Sequence, residues 1–166
     1  MEPEFHSIHN VPNAPGILVP QKIYNNHGAT FERRASVIFP PGTSLRRALA
    51  RAFANDTRFQ QRISTSDPSK LKFTLRLEWP GYAPWNCNIQ GTERAGHSEP
   101  VLLSVLAERV AHAVEKFLAK SVQQNADIPP SKPGWNVDAI RFEGLSLVEL
   151  RHVSEGSWQP VLSYHP

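Results

Sequence analysis

The chain has 166 residues, 40% apolar and 20% charged, a balance that excludes both a generally disordered chain and a membrane-embedded one. That length predicts one domain that buries roughly 70% of the surface its unfolded form exposes, without a metal or disulfide staple. The formal net charge is only +3, and a single cysteine, Cys87, allows no internal disulfide, which points to a reducing compartment, cytoplasmic or nuclear.

No apolar run approaches the roughly 18 residues of a spanning helix, and the acidic start Met-Glu-Pro-Glu-Phe-His is unlike a secretion signal. Residues 1–30 contain Pro3, Pro12, Pro15 and Pro20 with little periodicity. They read as an extended N-terminal arm, held only where Ile17, Leu18 and Val19, or Ile23 and Tyr24, dock on a single α+β domain over 31–166. Ala35 to Phe39 is a strand stopped by Pro40-Pro41-Gly42. Thr43 or Ser44 then caps a helix with Leu45, Ala48, Leu49, Ala52 and Phe53 along one side, and Thr57 to Ile63 adds a turn or two.

Leu71, Phe73, Leu75, Leu77 and Trp79 alternate with polar residues, as a half-buried strand requires. Pro80-Gly81-Tyr82-Ala83-Pro84 turns the chain into a short strand from Trp85 to Gln90. Ser98 caps the longest helix, whose stripe runs from Leu102 through Leu106, Val110 and Val114 to Phe117. Loop 122–134 follows, then strands Val137 to Phe142, Leu145 to Val153 and Trp158 to Tyr164, the last two joined by the turn Ser154-Glu155-Gly156-Ser157. Val148 and Leu150 face opposite to Leu145 and Leu147, so that strand is either covered on both faces or bulged. The expected fold is a single antiparallel sheet with two main helices packed on one face, plus the arm.

The stretch 75–82 (Leu-Arg-Leu-Glu-Trp-Pro-Gly-Tyr), the helix 106–117 and the segment 147–160 with its Gly-Ser-Trp-Gln-Pro occur here in a distinctive order. Over residues 35–164 the chain resembles a family of small uncharacterised proteins from mushroom-forming basidiomycete fungi. The resemblance implies a fungal intracellular protein and brings no activity, cofactor or catalytic residue with it.

Motifs for nucleophilic catalysis and nucleotide binding are absent, and no cofactor is expected. Cys87 lies between two asparagines with no nearby cation, which suits a buried, inert thiol. Glu108, His112 and Glu115 share a helix face at metal-ligand spacing, but Lys116 beside them opposes a cation and an ordinary solvated helix face carries the same residues, so no metal is expected. His6 and His9 lack the cysteines of a zinc finger.

Charge is more informative. Residues 31–62 hold seven arginines (Arg33, Arg34, Arg46, Arg47, Arg51, Arg58, Arg62) against Glu32 and Asp56, a net of 7 − 2 = +5. These suit bidentate pairing with phosphate or carboxylate, with the amides at Gly42-Thr43-Ser44 as an added anion site. The alternative is a solubilising face, or pairing with Glu143, Glu149 and Glu155.

Tyr82 and Trp85 flank a proline-braced turn, either folded down as a lid or presented to a protein partner. The leading expectation is a non-enzymatic protein-interaction module that binds a protein partner or a second copy as a homodimer, with Tyr82 and Trp85 as contacts and no membrane role. The first alternative is a nucleic-acid or anionic-ligand binder using the arginines. The second is an enzyme whose acid and base, such as His112 with Glu108 or His152 with Glu149, converge only in the fold.

Overall fold

The computed structural model describes residues 16–63, 72–94, 99–124 and 134–166. His6, His9, Leu71, Ser98, residues 125–133 and the arm up to residue 15 lie outside them. The fold is α+β. Strand β3 (Lys72–Leu77) buries Phe73, Leu75 and Leu77 as its alternation dictates. Gly81, at φ 84°, supplies the left-handed backbone that reverses the chain into β4 (Trp85–Gln90), antiparallel to β3.

Helix α2 (Leu103–Gln124) crosses the sheet with Leu106, Val110, Val114 and Phe117 buried at three- and four-residue spacing. Each such side chain contributes about 1.5–3 kcal/mol by leaving water. Ala107 and Ala111 are fully buried and let neighbours approach closely, α1 (Leu45–Leu49) among them. Strands β5 (Leu145–Ser154) and β6 (Ser157–Tyr164) form the hairpin, with Gly156 at φ 73° in the turn. Together with β2 (Val37–Ile38) the order is β2-β5-β6-β3-β4, and β1 (Ile17–Leu18) runs beside β6.

The sheet is mixed rather than antiparallel, because β3 and β6 pair in parallel at Thr74–Ser157 and Leu75–Trp158. The cause is α2. A helix that crosses over the sheet makes β4 and β5 run the same way, and their hairpin partners β3 and β6 must then do so too.

Parallel pairing lasts only two residues, and the arm occupies the opening beyond it. Val19 donates its amide to Leu162 O at 2.9 Å and is only 2% exposed. Gln21, 4% exposed, donates from Nε2 to Pro160 O at 2.6 Å and accepts the Glu78 amide on Oε1 at 3.1 Å. Because a strand residue turns its amide and carbonyl to the same side, Pro160's missing donor faces this opening. The side chain of Gln21 stands there in place of a ladder rung, so a proline fits a central strand.

Val137 to Phe142, expected as a strand, forms no strand. Asn136 accepts the Asp138 amide on Oδ1 at 3.0 Å, and two 3₁₀ turns follow, Val137–Ala139 and Phe142–Gly144. The first helix also stops early, at Leu49 rather than Phe53. Arg51 adopts φ 57°, Ala52 donates to Arg47 O and Arg51 to Ala48 O, which is a Schellman cap with arginine where glycine is usual. In β5 the pairing register slips between Leu147 and Glu149, so Val148 is an extra residue and both Leu147 and Leu150 reach the core. Among the described residues no helix is long and apolar enough to cross a membrane.

Candidate binding groove

The aromatic turn is closed on itself. Trp79 is 1% exposed and donates from Nε1 to Trp135 O at 2.7 Å. Phe117 of α2 gathers Trp79, Tyr82 and Trp85, with ring centroids at 5.9, 6.3 and 5.8 Å. The Tyr82 hydroxyl donates to Asn136 Oδ1 at 3.2 Å and accepts the Val137 amide at 3.0 Å. The loop 134–137 therefore clamps Tyr82 down, and Tyr82 and Trp85, expected as protein contacts, are half-buried and pack on Phe117 as a lid would.

The seven arginines do not form one face. Arg58 grips Asp56 through two nitrogens, at 3.1 and 2.7 Å. Arg62 meets Glu93 and Glu99, each at 2.9 Å, and donates to Pro100 O. Arg51, turned by the left-handed cap, meets Glu108 at 3.0 Å. Their partners are thus not Glu143, Glu149 or Glu155; Glu149 pairs with Arg151 at 3.0 Å. Arg47 stacks over Phe53 at 4.9 Å, and Arg46 stays exposed. Among the described residues Arg33 and Arg34 meet no carboxylate. The start of α1 is not an anion site: the helix has five residues and Ser44 Oγ already accepts the Arg47 amide.

Arg33, Arg34 and Arg62 do converge. They line a groove of about 500 Å³ that runs along residues 32–38, Glu32 included, and is completed by Gln61, Ile63, Leu103 and Trp158. Strand β2 forms part of its wall. Phe39 donates to Val148 O, so by alternation Ile38 turns its own amide and carbonyl to the other edge, which pairs with no strand among the described residues, and Ile38 is 60% exposed.

Behind the wall sits His152, 3% exposed. Its Nδ1 accepts the Arg34 amide at 2.9 Å, which places the ring proton of the neutral form on Nε2. The ring meets Phe31 edge-on at 5.1 Å and Trp158 at 4.7 Å. Burial first, then the Arg34 and Arg33 guanidinia, hold its pKa below the ordinary 6.5, against an opposite pull from Glu155.

Catalytic groups are less well served. His112 lies 3.9 Å from both Glu108 and Glu115 on an exposed helix face, beside a second hollow of about 390 Å³, and Arg51 already occupies Glu108. Among the described residues no group of three or more metal-binding side chains assembles. His152 and Glu149 point to opposite faces of β5, opposite Trp158 and Val161 respectively. Half-burial pushes the Cys87 thiol up, with Lys116 pulling the other way, which keeps it protonated at neutral pH.

Sequence reasoning passed over Trp158 as a groove residue and the hydrogen bond between Arg34 and His152, because nothing local marks a histidine whose partner is an amide 118 residues away. It also passed over Arg109, which crosses from α2 to the carbonyls of Gln90 and Thr92 and ties the end of β4 down. Comparison with known proteins gives no matching family model, curated protein or solved structure.

Proposed function

We propose that this chain is a non-enzymatic protein-interaction module that docks an extended, acidic segment of a partner protein in the groove beside β2. The observation behind this reading is the meeting of an open strand edge at Ile38 with two guanidinia, Arg33 and Arg34, that face no carboxylate among the described residues. An added strand takes its affinity from main-chain hydrogen bonds and its selectivity from side chains, and alternate glutamates or aspartates suit two arginines. Nucleic acid is a weaker fit. Asp56, the partner of Arg58, is already counted in the +5, and Arg51 and Arg62 meet Glu108, Glu93 and Glu99 from outside the segment. The charge that remains is split between the groove rim and the exposed Arg46 and Arg47.

A fluorescein-labelled peptide of alternating glutamate and valine is the probe. Its affinity falls at least about tenfold in the double variant Arg33→Glu with Arg34→Glu, and stays within about twofold in Arg46→Glu with Arg47→Glu. Equal losses in both pairs would reduce the effect to net charge. Tighter binding of a single-stranded oligonucleotide than of the peptide would favour the nucleic-acid reading.

A further inference from the structure

We infer that His152 is a proton-operated latch on the groove: as a neutral ring it holds residues 31–36 in place as the wall, and as a charged ring it lets them go. The segment from Phe31 to Ser36 is irregular chain with few anchors of its own. It is joined to β5 by the Arg34 amide on His152 Nδ1, by Ser36 hydrogen-bonded to the Glu149 carboxylate, and by the short β2 pairing at Val37 and Ile38. The first of these exists only while Nδ1 carries a lone pair. A proton there would set one N–H against another across 2.9 Å.

The surroundings make that proton costly. From the segment, Arg34 and Arg33 act on the ring with like charge, and from the hairpin turn Glu155 is the opposing group. β6 faces it with the Trp158 ring, and Phe31 closes the remaining side, neither of which is charged. Released, the segment exchanges this enclosure for water, and the imidazole regains its ordinary proton affinity.

The sign follows. A histidine whose pKa is lowered in the closed form penalises that form only when protonation is available to the open one. Closure is therefore unaffected well above pH 6.5, weakens as the pH falls through that ordinary value, and goes on weakening until the lowered pKa is passed. An acidic partner offsets the charge of Arg33 and Arg34 but cannot restore the lost acceptor, so acid releases it. Control of binding rests on the docking reading above; the latch itself does not.

Hydrogen exchange in the full chain separates the two. Between about pH 7.5 and about pH 5, after correction for intrinsic rates, protection of the peptide covering residues 31–38 falls about tenfold while that of α2 holds. In His152→Asn, whose Oδ1 can accept the Arg34 amide without titrating, protection over 31–38 is level across the same interval. Wild type with a flat profile, or wild type and variant falling alike, would overturn the latch; if the variant does not fold, the wild-type profile decides alone. The glutamate–valine peptide is titrated in parallel and loses affinity with acid in wild type only. A latch that opens while the peptide binds at no pH would remove the docking reading and leave the latch. Peptide loss with unchanged protection would overturn the latch and leave the docking reading.

Discussion

The aromatic turn around Phe117 and the arginine groove beside β2 use the side chains that interfaces favour, and differ in what those side chains already touch. In the turn, the Trp79 nitrogen and the Tyr82 hydroxyl have partners within the chain, and three rings pack on Phe117. In the groove, Arg33 and Arg34 and the edge at Ile38 have none among the described residues. Tyrosine, tryptophan and arginine are common in binding surfaces, but a group whose hydrogen bonds are spent internally contributes to stability rather than to recognition.

The contrast can be broken from either end, and the largest effect belongs to Trp79. Trp79→Ala removes a buried ring from between Phe117 and Trp135 and is expected to cost about 3–5 kcal/mol in denaturant unfolding. Tyr82→Phe keeps the ring on Phe117 but leaves the Val137 amide without its acceptor and Asn136 Oδ1 with only the Asp138 amide, an expected loss of about 1 kcal/mol. A Tyr82→Phe variant as stable as wild type would mean that the clamp from 134–137 contributes little. The double change Arg33→Glu with Arg34→Glu touches no ion pair among the described residues and should move stability by no more than about 0.5 kcal/mol, while lowering peptide affinity at least about tenfold. A large loss of stability there would assign these arginines to the fold.

Elements set by local pattern were legible in the sequence. The alternation of Phe73, Leu75 and Leu77, the stripe of α2 and the Glu155-Gly156 turn each follow from one side-chain period or one backbone requirement. The bulge in β5 was legible as a conflict, since Leu147 and Leu150 cannot share a face at period two without an extra residue. What escaped depends on distant partners. Parallel pairing of β3 with β6 follows from the path of α2, and Gln21 is a sheet element only because Pro160 leaves a rung empty.

The arginines show the same limit. The helix expected to run to Phe53 would have carried Arg51 on its surface, but the left-handed residue at Arg51 ended that helix, and the side chain meets Glu108 on α2. The proline-braced turn left two directions open for Tyr82, down as a lid or out to a partner. Its direction was decided by Asn136 and Val137, more than fifty residues away.

The central claim, that the groove and not the aromatic turn receives a partner, is tested most directly by mapping amide shifts on a labelled chain during titration with the glutamate–valine peptide. The expected perturbations fall on residues 33–38, 61–63 and Trp158, with Trp79, Tyr82, Trp85 and Phe117 unmoved. Perturbations centred on Tyr82 and Trp85, with the 33–38 amides unmoved, would contradict it.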